Sequence, residues 1–84
     1  MDNISRKLMI GACEIACRCP SLSLEDAVGD ARQLAGMLRQ YCIGDPQKEE
    51  SVLTAACWFI GAEPDISPKE AIDKALHLWN IITM

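Results

Sequence analysis

No apolar run in this sequence approaches the roughly 20 residues needed to cross a bilayer. The longest candidates are interrupted by Glu14 or end at Gly61, so no membrane is expected as a partner. Arg6-Lys7 followed by Leu8-Met9-Ile10-Gly11-Ala12-Cys13 has the outline of an export signal. Glu14 and Arg18 cut that apolar stretch too short, and it reads instead as a first helix.

Positive charge is also in short supply: eight Lys and Arg stand against twelve Asp and Glu, for a formal net charge of −4. Affinity for a phosphate backbone comes from Lys and Arg, so nucleic acid is a poor fit. The acidity is uneven. Residues 45–84 carry seven acidic side chains and three lysines, whereas residues 1–20 carry three cations and two anions. The acidic half reads first as a solvated face and second as a surface for a basic partner.

The signatures of common chemistries are missing as well. There is no nucleophile elbow, no phosphate-cradling or dinucleotide glycine loop and no calcium loop, so no catalytic residue and no cofactor is assigned. The single histidine, His77, follows Asp73 by one helical turn, a spacing that could orient an imidazole. Without a nucleophile or oxyanion donors around it, a surface histidine explains it better. The acidic pairs Glu25-Asp26 and Glu49-Glu50 fall in first helical turns, where negative charge is favoured by the helix dipole.

Five cysteines, Cys13, Cys17, Cys19, Cys42 and Cys57, form an odd set. Three of them lie within apolar helical patterns, which suits reduced, buried thiols and a cytoplasmic location. Cys13 and Cys17 are one turn apart, and with Cys19 they are the only candidates for a metal site. Structural zinc needs a second such pair, so no metal is assigned and packing is the favoured role. Cys19, beside Pro20 at a helix end, is the thiol expected to be most exposed.

The strict alternation of a half-buried strand is absent, as are internal repeats and low-complexity segments. What is present is helix punctuation. Asp2 or Asn3, Ser23, Asp45-Pro46 and Ser67-Pro68 open four segments, the last with a capping box closed by Glu70. Pro20, Gly44 and Gly61 close the first three. The helices are expected at about 3–18, 24–43, 46–60 and 68–82, joined by loops of about 3–6 residues, with Ala62–Ile66 as the nearest thing to a linker.

Their inward stripes are Ile4, Leu8, Ala12 and Ile15, with Met9, Cys13 and Ala16 beside them; Leu24, Ala27, Val28, Ala31, Leu34, Ala35, Leu38 and Cys42; and Ala71, Ile72, Ala75, Leu76, Leu78, Trp79 and Ile82. Residues 52–60 are apolar nearly all round, which makes the third helix central. The fold class is therefore all-α: one small domain of residues 1–84, a compact four-helix bundle or orthogonal four-helix array.

Gly29 and Gly36 share a stripe of the second helix that is otherwise polar, and Met37 lies near it. Trp58 and Ile81 fall off the main apolar directions of their helices. These five residues are the candidate partner-binding set, because Met and aromatic side chains left outside a small core favour protein contacts. The short Gly44-Asp45-Pro46 turn permits a helix-turn-helix reading, but Glu49 and Glu50 sit where a recognition helix would need cations.

The leading expectation is a non-enzymatic protein–protein interaction module, an inhibitor or adaptor of a larger host protein, binding another protein or itself as a homo-oligomer. A cysteine-based metal or redox sensor and a dimeric DNA-binding regulator are the alternatives.

Overall fold

In the computed structural model the chain forms four helices: α1 (Asn3–Arg18), α2 (Leu24–Leu38), α3 (Pro46–Ala62) and α4 (Pro68–Thr83). All residues except Met1, Ile43 and Pro64 are described, and among the described residues there is no strand. The all-α, four-helix expectation is met.

Each helix starts where its capping residue dictates. The Asp2 carboxylate accepts from the Ser5 N–H at 2.7 Å, the Ser23 hydroxyl from Asp26 at 3.1 Å, the Asp45 carboxylate from Lys48 at 3.0 Å and the Ser67 hydroxyl from Glu70 at 3.2 Å. Each bond satisfies one of the free N–H groups of a first turn.

Two helix ends differ from expectation. The second helix stops at Leu38 and not at 43; Ile43 itself lies outside the described residues. No capping side chain closes it. The Leu38 carbonyl accepts from both Tyr41 and Cys42, at 3.0 and 3.1 Å, so the chain tightens into turns while still burying Cys42. Gly44 therefore does not cap that helix; with φ of 80° it makes the left-handed step directly before the Asp45 cap. The third helix, conversely, runs through Gly61 to Ala62. Of the Ala62–Ile66 linker, Ala62 is thus helical and Pro64 lies outside the described residues.

As expected, α3 is central: it packs on α1, α2 and α4, while α1 and α4 share no contact among the described residues. Helices α1 and α3 run parallel, with Lys7 reaching Glu49 at one end and Gly61 lying against Ile15 and Arg18 at the other. The turn after α1 returns the chain so that Gly11 faces Ala31, making α2 antiparallel to α1. Helix α4 is antiparallel to α3, with Lys74 over the Phe59 ring and paired to Glu63 at 3.0 Å. The array is flat, 36 × 30 × 18 Å, about two helix layers thick.

The largest fully buried side chains are Ile15, Leu34, Leu38, Leu53, Ile72, Val52 and Cys57. Around them the core is rich in alanine, with Ala12, Ala27, Ala31, Ala56, Ala71 and Ala75. Small side chains at the contacts let helix axes approach closely. No aromatic residue among the described residues is fully buried.

Candidate functional site

Helices α1 and α2 meet where Gly11 faces Ala31, and beside that contact residues of both helices line a groove of about 630 Å³. Leu8, Met9, Ala12, Ala16, Leu24 and Val28 form its apolar surface. Met9 and Leu24 are 64 and 70% exposed, well beyond what a large apolar side chain needs if it only seals the core. Cys13 and Cys17 stand on the α1 wall, and Arg32 is the only charged residue lining the groove among the described residues. A separate shallow depression on α2 is lined by Leu24, Glu25, Val28 and Arg32. Antiparallel packing sets the order along the groove: Arg32 stands near Met9, and Leu24 near Cys17.

The sequence-derived partner residues are dispersed. Gly29 and Gly36 are exposed on α2, and nothing lies within 4 Å of where either would carry a Cβ. Met37 is half-buried against the core. Trp58 is 40% exposed, so α3 is not buried on all sides; the Arg18 guanidinium covers its ring at 4.7 Å and Phe59 meets it edge-on at 5.6 Å. Ile81 is exposed on the last turns of α4, beside Leu78 and Ile82. None of the five lines the α1/α2 groove.

The sequence signal for the groove was Met9 and Cys13 lying beside the inward stripe of α1. Those positions are the edge of that stripe, and the partner helix covers only its centre.

The cysteines divide differently from expectation. Cys42 and Cys57 are buried, but Cys13 and Cys17 are exposed, and Cys19, expected to be the most exposed thiol, is less exposed than either. Cys19 turns away past the end of α1, its sulfur 3.6 Å from the Ser21 hydroxyl. No group of three or more His, Cys, Asp or Glu side chains gathers as a metal site among the described residues. The Cys17 thiol alongside pushes Cys13 above its ordinary value, and Arg18, paired with Glu14 at 3.7 Å, gives no sign of offsetting it. A thiol held protonated is a weak nucleophile. Cys57 is pushed up to about 12, chiefly by burial. Alkylation of the native, reduced protein is expected to modify the exposed Cys17 first, Cys13 more slowly because its thiol is held protonated, Cys19 more slowly because it is half-buried, and Cys42 and Cys57 only on unfolding. Peptide mapping against time checks this; early modification of Cys57 would show that the α1/α3 seam opens.

Asp30 on α2 is half-buried, and its carboxyl is raised above the usual 3.8 by burial first and by the Asp26 carboxylate second. The folded protein thus holds this proton more tightly than the unfolded chain does. Its contribution to stability is present below the unfolded value and is lost as pH rises through the folded one. Asp30→Asn is expected to raise the thermal midpoint at pH 7 and to change nothing below about pH 3, where both proteins are neutral at this position. A variant less stable than wild type at pH 7 would reveal a favourable partner for the carboxylate.

His77 and Asp73 are both exposed, with no hydrogen bond between them, and no helix among the described residues is long and apolar enough to cross a membrane. No family model, no curated protein and no solved structure matches the chain.

Proposed function

We propose that the protein is a non-enzymatic interaction module that receives a helix of another protein in the α1/α2 groove, and so acts as an inhibitor or adaptor. The observation that carries this reading is the open apolar groove, with Met9 and Leu24 more than half exposed at its rim. A groove between two rigid helices is the surface on which an amphipathic helix buries its apolar face. An open trough would leave a small molecule too exposed, since pockets for such ligands bury most of the ligand.

The test is photo-crosslinking from residues in the groove in native extract, comparing wild type with Met9→Glu and with Ile81→Glu. A protein captured by wild type and by Ile81→Glu, but lost with Met9→Glu, supports the groove. Capture lost with Ile81→Glu alone would move the surface to α4, and no difference among the three would sink the reading.

A second reading, self-association, is favoured by a separate feature. Ser51, Val52, Ala55, Ala75, Leu78, Trp79 and Ile82 line a depression between α3 and α4 without any charged side chain. Depletion of charge at the centre is characteristic of homodimer interfaces. Native mass spectrometry of wild type and Ile82→Glu tests it: a dimer that becomes a monomer in the variant supports this reading, and a monomeric wild type removes it.

A further inference from the structure

Cys13 and Cys17 lie one turn apart on α1, and both are exposed on the wall of the α1/α2 groove. Side chains four residues apart on a helix stand one above the other, with their Cβ atoms about 5–6 Å apart. That spacing decides what the pair can do. A disulfide needs Cβ atoms about 3.5–4.5 Å apart, so the helix must distort before these two thiols can close one. An ion held between them, with a metal–sulfur bond of about 2.3 Å on each side as in zinc thiolates, bridges the gap on an undistorted helix.

The surroundings choose among ions. No carboxylate or imidazole lines the groove among the described residues, and Ser5, two turns before Cys13, is the only lining side chain with an oxygen donor. The Met9 thioether, one turn before Cys13, is a further soft donor. Calcium needs six or more oxygen ligands and structural zinc needs four ligands, whereas no group of three or more His, Cys, Asp or Glu side chains gathers among the described residues. Copper(I) is satisfied by two thiolates in a near-linear arrangement, and soft sulfur ligands favour it.

We propose that Cys13 and Cys17 together form a two-coordinate site for copper(I) on the α1 wall of the groove. This goes beyond the interaction reading and does not require a partner helix in the groove. Both thiols release their protons to solvent on binding, because the thiolate is the ligand. The Cys13 thiol holds its proton chiefly because Cys17 stands beside it, and that same closeness lets one ion take both sulfurs. Copper(I) with two thiolates carries a single net negative charge. Arg32 lines the same groove from α2 and makes no ion pair among the described residues, so its guanidinium is the group placed to offset that charge. Cys19 takes no part, since it turns away past the end of α1 toward Ser21.

The test is an anaerobic titration of the full, reduced chain with copper(I) against the chromogenic chelator bicinchoninate, with stoichiometry read by native mass spectrometry. One copper per chain is expected. Cys13→Ser and Cys17→Ser, both at exposed positions and checked for unchanged circular dichroism, should each weaken binding by more than the roughly 10–100-fold that loss of an outer-shell partner costs. Cys19→Ser should bind as wild type does. Wild-type affinity in Cys13→Ser or in Cys17→Ser would overturn the site, as would loss of binding in Cys19→Ser. One copper per two chains would overturn it too, by placing the ion between copies. Zinc(II) held as tightly as copper(I) would overturn the choice of metal.

Discussion

Gly61→Ala is expected to destabilise the protein by up to about 2 kcal/mol, the net of an overpacking cost of about 1–3 kcal/mol and a smaller gain in helix propensity. A Cβ at this position would stand 2.9 Å from the Arg18 Cβ, 3.0 Å from the Ile15 carbonyl oxygen and 3.1 Å from the Ile15 Cα. Two of those atoms are backbone, so no side-chain rotation relieves the clash and α1 must move off α3. The gain in helix propensity from glycine to alanine, about 1 kcal/mol, works in the opposite direction and does not cover that cost. Gly61→Val, larger and with a smaller propensity gain, should cost more still.

Gly29→Ala supplies the control. It lies inside α2 with open space where its Cβ would go, so the same exchange should stabilise by up to about 1 kcal/mol. Urea unfolding of the three variants checks both signs. A Gly61→Ala protein as stable as wild type would mean that the α1/α3 crossing is looser than these distances require.

Gly61 also shows where the sequence stops being informative. An apolar run ending in glycine is a sound signal for a helix end, because glycine suits the left-handed cap. The same missing Cβ suits a crossing point between two helices, and nothing near position 61 in the sequence says that Ile15 will arrive there. The N-terminal ends were legible for the opposite reason: Asp2, Ser23, Asp45 and Ser67 each bond an N–H three residues away, so the determinant is local. The end of α2 at Leu38 belongs with Gly61. Position 42 is buried, as helical spacing from Leu38 suggests, yet it reaches the core through a turn.

The candidate site was less legible than the fold. Periodicity marks which face of a helix is apolar but not how much of that face its neighbour covers. In α1 the centre of the face is covered and its edge, Met9 with Cys13 and Cys17, becomes a groove wall. The residues singled out for lying off the apolar stripes met other fates, since Met37 folds back on the core and Trp58 is shielded by Arg18.

Helix α4 gives this distinction its most measurable form. Ile72 and Ile82 belong to one apolar stripe in the sequence and to one helix in the fold, but Ile72 is 0% exposed and Ile82 is 78% exposed. Ile72→Ala is expected to cost about 2–5 kcal/mol, the lost transfer energy plus the cavity left among packed neighbours. In a domain this small that is a large share of a stability of about 5–15 kcal/mol, enough to lower the thermal midpoint by tens of degrees. Ile82→Ala, measured at a concentration where the protein is monomeric, should change stability by less than about 0.5 kcal/mol, as an exposed exchange does. The two values also bear on the α3/α4 depression. If Ile82→Ala turns destabilising only as protein concentration rises, the missing energy belongs to a contact between two copies, because coupling to assembly is what makes stability concentration-dependent. If it is destabilising at every concentration, Ile82 is covered within the single chain, and the exposed end of α4 is no longer a surface for another molecule.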